Sequence, residues 1–239
     1  MKLFKLSTLL FASALIMYGC GKSGDTVETS EAEEVAVAAG STVTLDAASS
    51  KVNWRGYKPT GQHFGIIPVT GGELSLEGDA ITAGAFTFDI TGLEIHDMEV
   101  GSENHGKLSG HLQSADFFDA ANHPQAKFEI TAVEPYSSGA IEDQEQFESE
   151  NTPKSETEIA PANPTHWISG NLTMRGTTKN IKFPANVSIN DGIVAAKAGF
   201  NIDRTEWGLS YGDESTAVDK AKDQFIYNTV SVNFDIQTN

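Results

Sequence analysis

The sequence predicts an all-β fold, and three features of its 239 residues carry that expectation. Six runs of apolar side chains recur with period two, the spacing that sets alternate residues on one face of a strand. Turn-forming clusters separate runs, at Gly71-Gly72, Glu77-Gly78-Asp79 and Asn190-Asp191-Gly192. Only one segment, near residue 108, has helical spacing. Each run is apolar on one side alone, as in antiparallel sheets with one wet face, so the strands close as a barrel or stack as a sandwich.

The elements follow in chain order. Met1-Lys2-Leu3-Phe4-Lys5 is a basic start, and Leu6 to Tyr18 is an apolar run too short to span a bilayer as a helix. Residues 1–19 therefore read as a signal peptide. Their end, Leu15-Ile16-Met17-Tyr18-Gly19-Cys20, resembles the lipobox of bacterial lipoproteins, in which the cysteine becomes the lipidated N-terminus. That resemblance makes Cys20 the lipidation site, and Gly21 in place of aspartate then implies the outer membrane, facing the periplasm or the cell surface. Residues 20–40 are small and acidic, with too little apolar surface to repay ordering, and are expected to be a tether. The domain proper is expected over 41–239.

Within it, Phe86, Phe88 and Ile90 share a face, as do Phe128, Ile130 and Ala132, and Ile168, Gly170, Leu172 and Met174. Ile181, Phe183, Ala185, Val187 and Ile189 come next, then Val194, Ala196, Ala198, Phe200 and Ile202, and last Ile226, Val230, Val232, Phe234 and Ile236. Leu108 and Leu112 lie four apart inside Ser102 to Ser114, with Ser102 available as N-cap, so a helix is expected there. Gly106 and Gly110 make it weak alone. Such a helix survives by packing, which places it across one barrel end with Leu108, Leu112, Phe117 and Phe118 as an apolar plug. Ser137 to Asn163 carries Glu142, Asp143, Glu145, Glu148, Glu150, Glu156 and Glu158 against Lys154 alone, and reads as a solvated acidic loop insertion at 137–163.

With 16 Lys or Arg against 33 Asp or Glu, the chain has a formal charge of −17. Nucleic acid is excluded as a partner, because phosphate binding needs a basic stripe. A bare anionic membrane surface would repel the chain too, leaving the N-terminal lipid anchor as its expected membrane contact. Cys20 is the only cysteine, so neither an internal disulfide nor a cysteine-based zinc site can form.

Several longer motifs resemble one known family. They are Ser50-Lys51-Val52-Asn53-Trp54, Gly61-Gln62-His63-Phe64-Gly65, and Leu112-Gln113-Ser114-Ala115-Asp116-Phe117-Phe118-Asp119 followed by Asn122-His123-Pro124 and Lys127-Phe128-Glu129. Gly170-Asn171-Leu172-Thr173-Met174-Arg175-Gly176-Thr177-Thr178-Lys179 and Ile202-Asp203-Arg204-Thr205-Glu206-Trp207-Gly208-Leu209 complete the set. In this order they resemble the YceI-like family over most of Thr42 to Asp235. The resemblance implies an eight-stranded antiparallel, lipocalin-like barrel whose interior holds a long-chain amphiphile of polyisoprenoid or quinone type. A barrel of that size is either filled by side chains or holds one small ligand. Large rings facing Gly170, Ala185, Ala196 and Ala198 would leave a slot.

The residues assigned to that ligand are the inward rings Phe86, Phe88, Phe128, Phe183, Phe200 and Phe234, with Ile90, Ile130, Leu172, Met174 and Ile202. The plug residues Leu108, Leu112, Phe117 and Phe118 close the end, and His63, Phe64, Arg204 and Trp207 stand near a head group. His63 either meets that head group or is a satisfied structural histidine. Asp203-Arg204 is either a partly buried ion pair or, through its guanidinium, a bidentate head-group contact. Asp116 and Asp119 are expected to fix the turn before Pro124.

No metal site is expected, since the six histidines show neither His-x-His nor His-Glu-x-x-His spacing. No cofactor is called for beyond a bound lipid, and no Gly-x-Ser-x-Gly elbow supplies an activated nucleophile. The expectation is a non-catalytic carrier or sequestering protein of the cell envelope. The alternatives are a structural or interaction lipoprotein with a solid core, and an enzyme using His63, His111 or Asp116 on a lipid-like substrate.

Overall fold

A computed structural model describes residues 26–137, 150–217 and 224–239. The signal peptide, Cys20 and residues 138–149 of the insertion lie outside the described residues. Eleven strands and two α-helices occur among those described. In chain order they are β1 (Thr29–Ser30), β2 (Ser41–Thr44), β3 (Lys51–Lys58), β4 (Gly61–Glu77), β5 (Ala80–Asp89), β6 (Glu94–Ile95), α1 (Glu103–Gln113), β7 (Gln125–Pro135), α2 (Glu156–Ile159), β8 (His166–Met174), β9 (Thr177–Asn190), β10 (Ile193–Asp203) and β11 (Thr229–Gln237).

Eight long strands pair antiparallel in the order β3-β4-β5-β7-β8-β9-β10-β11, and β11 returns to β3, so the sheet closes as a barrel rather than stacking as a sandwich. Tight turns set the register. The β9–β10 loop is Asp191-Gly192, with φ of 51° and 82°, and the β8–β9 loop is Arg175-Gly176, with φ of 47° and 75°. Two left-handed residues give a connection whose twist matches that of the flanking strands. Gly71-Gly72, by contrast, is no turn. It lies inside β4 at a register shift, where a side chain on Gly72 would meet the Phe86 ring at 2.7 Å and the Ala85 carbonyl at 2.8 Å. The glycines let β4 bend against β5.

Another register shift, between Ile130 and Ala132, turns β7 over by one residue. Val133 rather than the expected Ala132 therefore packs on the core. The other runs keep their phase, with Phe86, Phe88, Phe128, Ile130, Ile168, Leu172, Ile181, Phe183 and Phe200 all buried.

Helix α1 forms where expected. The Ser102 side chain accepts from the His105 N–H, and Leu112 is buried while Gly106 and Gly110 face solvent. The helix is held by Leu108 and Leu112 over the barrel end rather than by its own propensity.

Two segments expected to be solvated lie on the barrel with most of their residues still exposed or partly exposed. Residues 26–40 form a belt rather than a free tether. Val27 is buried and its N–H donates to the Asn201 carbonyl, and β1 pairs with Asn180 and Ile181 where β9 has parted from β10. The belt then crosses β8, β7 and β5. Asn171 accepts from Glu33 N and donates to Glu33 O, Ala36 N donates to the bulged Ile130 carbonyl, and Ala39 exchanges bonds with Thr82. Backbone hydrogen bonds do here what apolar area could not, by satisfying polar groups on the barrel exterior.

The described half of the insertion, 150–163, likewise covers the outer face of β10. Pro153 is buried, the Asn201 side chain donates to the Lys154 carbonyl at 2.8 Å, and a side chain on Gly199 would strike the Ile159 carbonyl. Beneath it Tyr57, Ser231 and Asn201 form a buried chain of hydrogen bonds, 2.9 and 2.7 Å long. Among the described residues no helix is long and apolar enough to cross a membrane.

Candidate ligand-binding site

The barrel interior divides into two unequal spaces. A cavity of about 380 Å³ lies under α1 and a void of about 60 Å³ lies toward the other end. The larger falls within the range typical of small-molecule sites. Its walls are Val52 and Trp54 from β3, Phe88 from β5, Ala126 from β7, Leu172 and Met174 from β8, Phe200 and Ile202 from β10, and Val230, Val232 and Phe234 from β11. Leu108 and Leu112 of α1, with Phe117 and Phe118 beyond it, form the roof. Polar groups gather at its edge, namely Lys58, His63, His111, Tyr211 and Gln224.

The roof is fastened from outside. Arg175, at the tip of the β8–β9 hairpin, donates to the Ala115 carbonyl at 2.7 Å and also to the Gly208 carbonyl. His111 stands edge-on to Tyr211 with ring centres 4.4 Å apart and to Phe117 at 5.9 Å. After the helix, Asp119 adopts a φ of 50° and its carboxylate accepts from the Asn122 side chain, so it fixes the turn as expected, whereas Asp116 is exposed.

Between the two spaces stand five phenylalanines. Phe88 and Phe234 stack across the lumen at 5.8 Å with their planes 11° apart, and Phe183 stacks on Phe200 at 4.2 Å. Phe128 lies 5.7 Å from Phe183 and 6.2 Å from Phe234. Phe86, Phe128, Ile130 and Phe183 therefore border the small void, and Phe88 and Phe234 border both. The single slot expected from the alternation is thus interrupted.

Of the remaining residues assigned from sequence, His63, Leu108, Leu112, Phe117, Phe118, Leu172, Met174, Phe200, Ile202 and Arg204 all reach the larger cavity. Phe64 does not. It pairs across the sheet with Arg55, one residue out of phase with His63, and its ring lies on the barrel exterior under the Arg55 guanidinium at 4.5 Å. Ile90 is buried just past the end of β5 and borders neither space. Trp207 is wholly buried behind the wall, where its indole N–H donates to the Leu172 carbonyl at 2.9 Å.

His63 is held by a carboxylate. Its Nδ1 lies 2.7 Å from Asp97 Oδ2, while the other Asp97 oxygen accepts from the Phe64 N–H at 3.0 Å. Burial raises the carboxyl pKa, but the hydrogen bonds from Phe64 and His63 and the His63 charge outweigh it and hold Asp97 below the usual carboxylate range. A depressed carboxyl stabilises the fold at a pH above its unfolded value of about 3.9, and that contribution is lost as pH falls through the lower folded value. Asp97→Asn is therefore expected to lower stability by about 1–2 kcal/mol at neutral pH and to lose its effect in strong acid, read from urea midpoints at each pH. Equal losses at both pH values would reject this account.

Among the described residues Arg204 has no ion-pair partner within 4 Å. Asp203 instead accepts from the Thr205 N–H and hydroxyl as the cap of a short 3-10 turn, Arg204–Trp207. The guanidinium is buried and donates to the carbonyls of Tyr227 at 3.2 Å, Ile226 at 3.1 Å and Leu209. Burial lowers its pKa, opposed by the charges of Asp213, Asp203 and Glu214.

Sequence reasoning missed Val52, Trp54 and Ala126, which the alternation of their strands could have found, and Leu209, Tyr211 and Phe225, which sit in loops without period. Among the described residues no group of three or more His, Cys, Asp or Glu is placed to hold a metal ion.

An eight-stranded antiparallel barrel with an apolar chamber under a single helix defines a lipocalin-like protein. The YceI-like domain model matches residues 43–238, and the chain belongs to that family. Curated relatives include a UPF0312 protein of Pseudomonas putida strain GB-1, 31% identical over 51% of this chain and 55% of the relative. Another, from Pectobacterium carotovorum subsp. carotovorum, is 30% identical over 44% of each. The chain thus spans about half the length of these relatives. Among solved structures, Burkholderia cenocepacia BcnA superposes with a TM-score of 0.57 at 16% identity, over 82% of this chain and 99% of that one. A polyisoprenoid binding domain from Saccharophagus degradans, implicated in plant cell wall breakdown, gives 0.52 at 16% identity over 86% and 99%. At such identities the likeness is one of fold.

Proposed function

We propose that this protein binds an amphiphilic lipid of polyisoprenoid or quinone-like type and carries or sequesters it within the cell envelope, without catalysis. The observation that carries this reading is the chamber of about 380 Å³, walled by hydrocarbon and edged by polar groups, in a barrel otherwise small enough to pack solid. Against the alternative of a solid core stands the open space on both sides of the five rings. Each buried methylene contributes about 0.8 kcal/mol, so a terpenoid tail supplies several kcal/mol against the cost of association. The head group would lie at the edge, near His63 and Lys58. The relation of fold to a polyisoprenoid binding domain supports the same class of ligand. After removal of a signal peptide over 1–19, an acyl anchor on Cys20 would hold the barrel at the outer membrane.

The test is solvent extraction and mass spectrometry of the protein purified without detergent, followed by titration of the stripped protein with farnesol and a short-chain ubiquinone. Co-purifying lipid, or saturable uptake of either probe, is the expected result. A folded protein that arrives empty and takes up neither would overturn the proposal.

A further inference from the structure

We infer that the phenylalanine partition is a length stop, with Phe234 as its movable member, so that the chamber admits a tail up to a limit set by these rings. The inference rests on the chamber being a lipid site and adds what that site selects. Three observations point to it. Phe88 and Phe234 come from β5 and β11, which are not neighbours in the barrel, and their rings meet face to face across the lumen. Phe234 also touches Phe128, Phe183 and Phe200, so it is the hub of the cluster. Behind it the lumen does not end, because Ala185, Ala196 and Ala198 leave the second void of about 60 Å³.

Each ring has a distinct standing. Phe183 and Phe200 are stacked and almost fully buried, which fixes them in the wall. Phe234 is only half-buried because the chamber exposes one of its faces. A tail entering under α1 meets that face first. Aromatic rings in offset and edge contacts with several partners resist displacement, so a further isoprene unit either stays in water or has to turn Phe234 aside. Affinity then rises with each unit that fits and stops rising when the tail reaches the rings. Shortening residue 234 joins the chamber to the far void and moves the limit outward.

The experiment titrates the stripped protein with all-trans prenols lengthened by one isoprene unit at a time, on wild type, Phe234→Ala and Phe234→Leu. Wild type is expected to gain about tenfold or more per unit until a limit and less than about twofold beyond it. Phe234→Ala is expected to move that limit to a longer prenol, and Phe234→Leu, which retains a branched apolar side chain, to move it less. Adding Ala198→Phe to either variant refills the far void and should restore the wild-type limit. If the alanine variant does not fold, the leucine variant and its double mutant carry the same reading. A wild-type series with no limit, or a limit unmoved in variants that fold, overturns the stop. Failure to bind any prenol would instead remove the lipid reading on which it rests.

Discussion

Arg204→Met is expected to destabilise the protein by about 3 kcal/mol or more, the largest loss from any single polar side chain in the barrel. Arg204 is 1% exposed, and its guanidinium donates to carbonyls of Leu209, Ile226 and Tyr227, three points on two loop segments that close the helix end. Methionine keeps the apolar stem but leaves those carbonyls without a donor, at about 1–3 kcal/mol for each that water cannot reach. Relief of the buried charge offsets part of this. Lysine should recover little, since one ammonium cannot span three divergent acceptors as the planar fork does. Urea midpoints at constant slope measure the effect. A loss below about 1 kcal/mol would show that the loops reach water and that Arg204 does not hold the end shut.

That role was only half legible beforehand. The landmark Asp203-Arg204 marked a polar pair at a barrel end, but which atoms it engages depends on where residues 209 and 226–227 return, and neither stretch has a period to place it. The strands were legible because one wet face and one dry face leave a period-two trace, and α1 because Ser102, Leu108 and Leu112 are local signals. The attachment of residues 26–40 and 150–163 to the barrel leaves no trace in composition, for one shared reason. Composition measures apolar area, whereas residues 26–40 and 150–163 are held by backbone groups meeting Asn171, Thr82, Asn201 and the bulged Ile130 carbonyl. The division of the lumen was hidden as well, because alternation says that Phe88 and Phe234 point inward but not that they stack across the barrel.

Val232→Trp is expected to reduce prenol affinity about 100-fold while leaving the fold intact. Val232 points into the chamber from β11, opposite Phe200 on β10 and Trp54 on β3, and is only half-buried because the cavity lies before it. An indole there occupies space that several methylenes of a tail would otherwise fill. Three to four methylenes at about 0.8 kcal/mol each amount to about 3 kcal/mol, hence the factor of about 100. In a packed core the same enlargement would cost about 1–3 kcal/mol in strain, but here the added ring enters empty space, so stability should change by less than about 1 kcal/mol. Ile193→Trp provides the control, since Ile193 is 46% exposed beside the β9–β10 turn and borders neither the chamber nor the far void. Both variants put an indole in place of a β-branched residue, and only the first should lose the ligand. Equal affinity in the two, with both folded, would place the lipid outside the barrel and leave the chamber without a tenant.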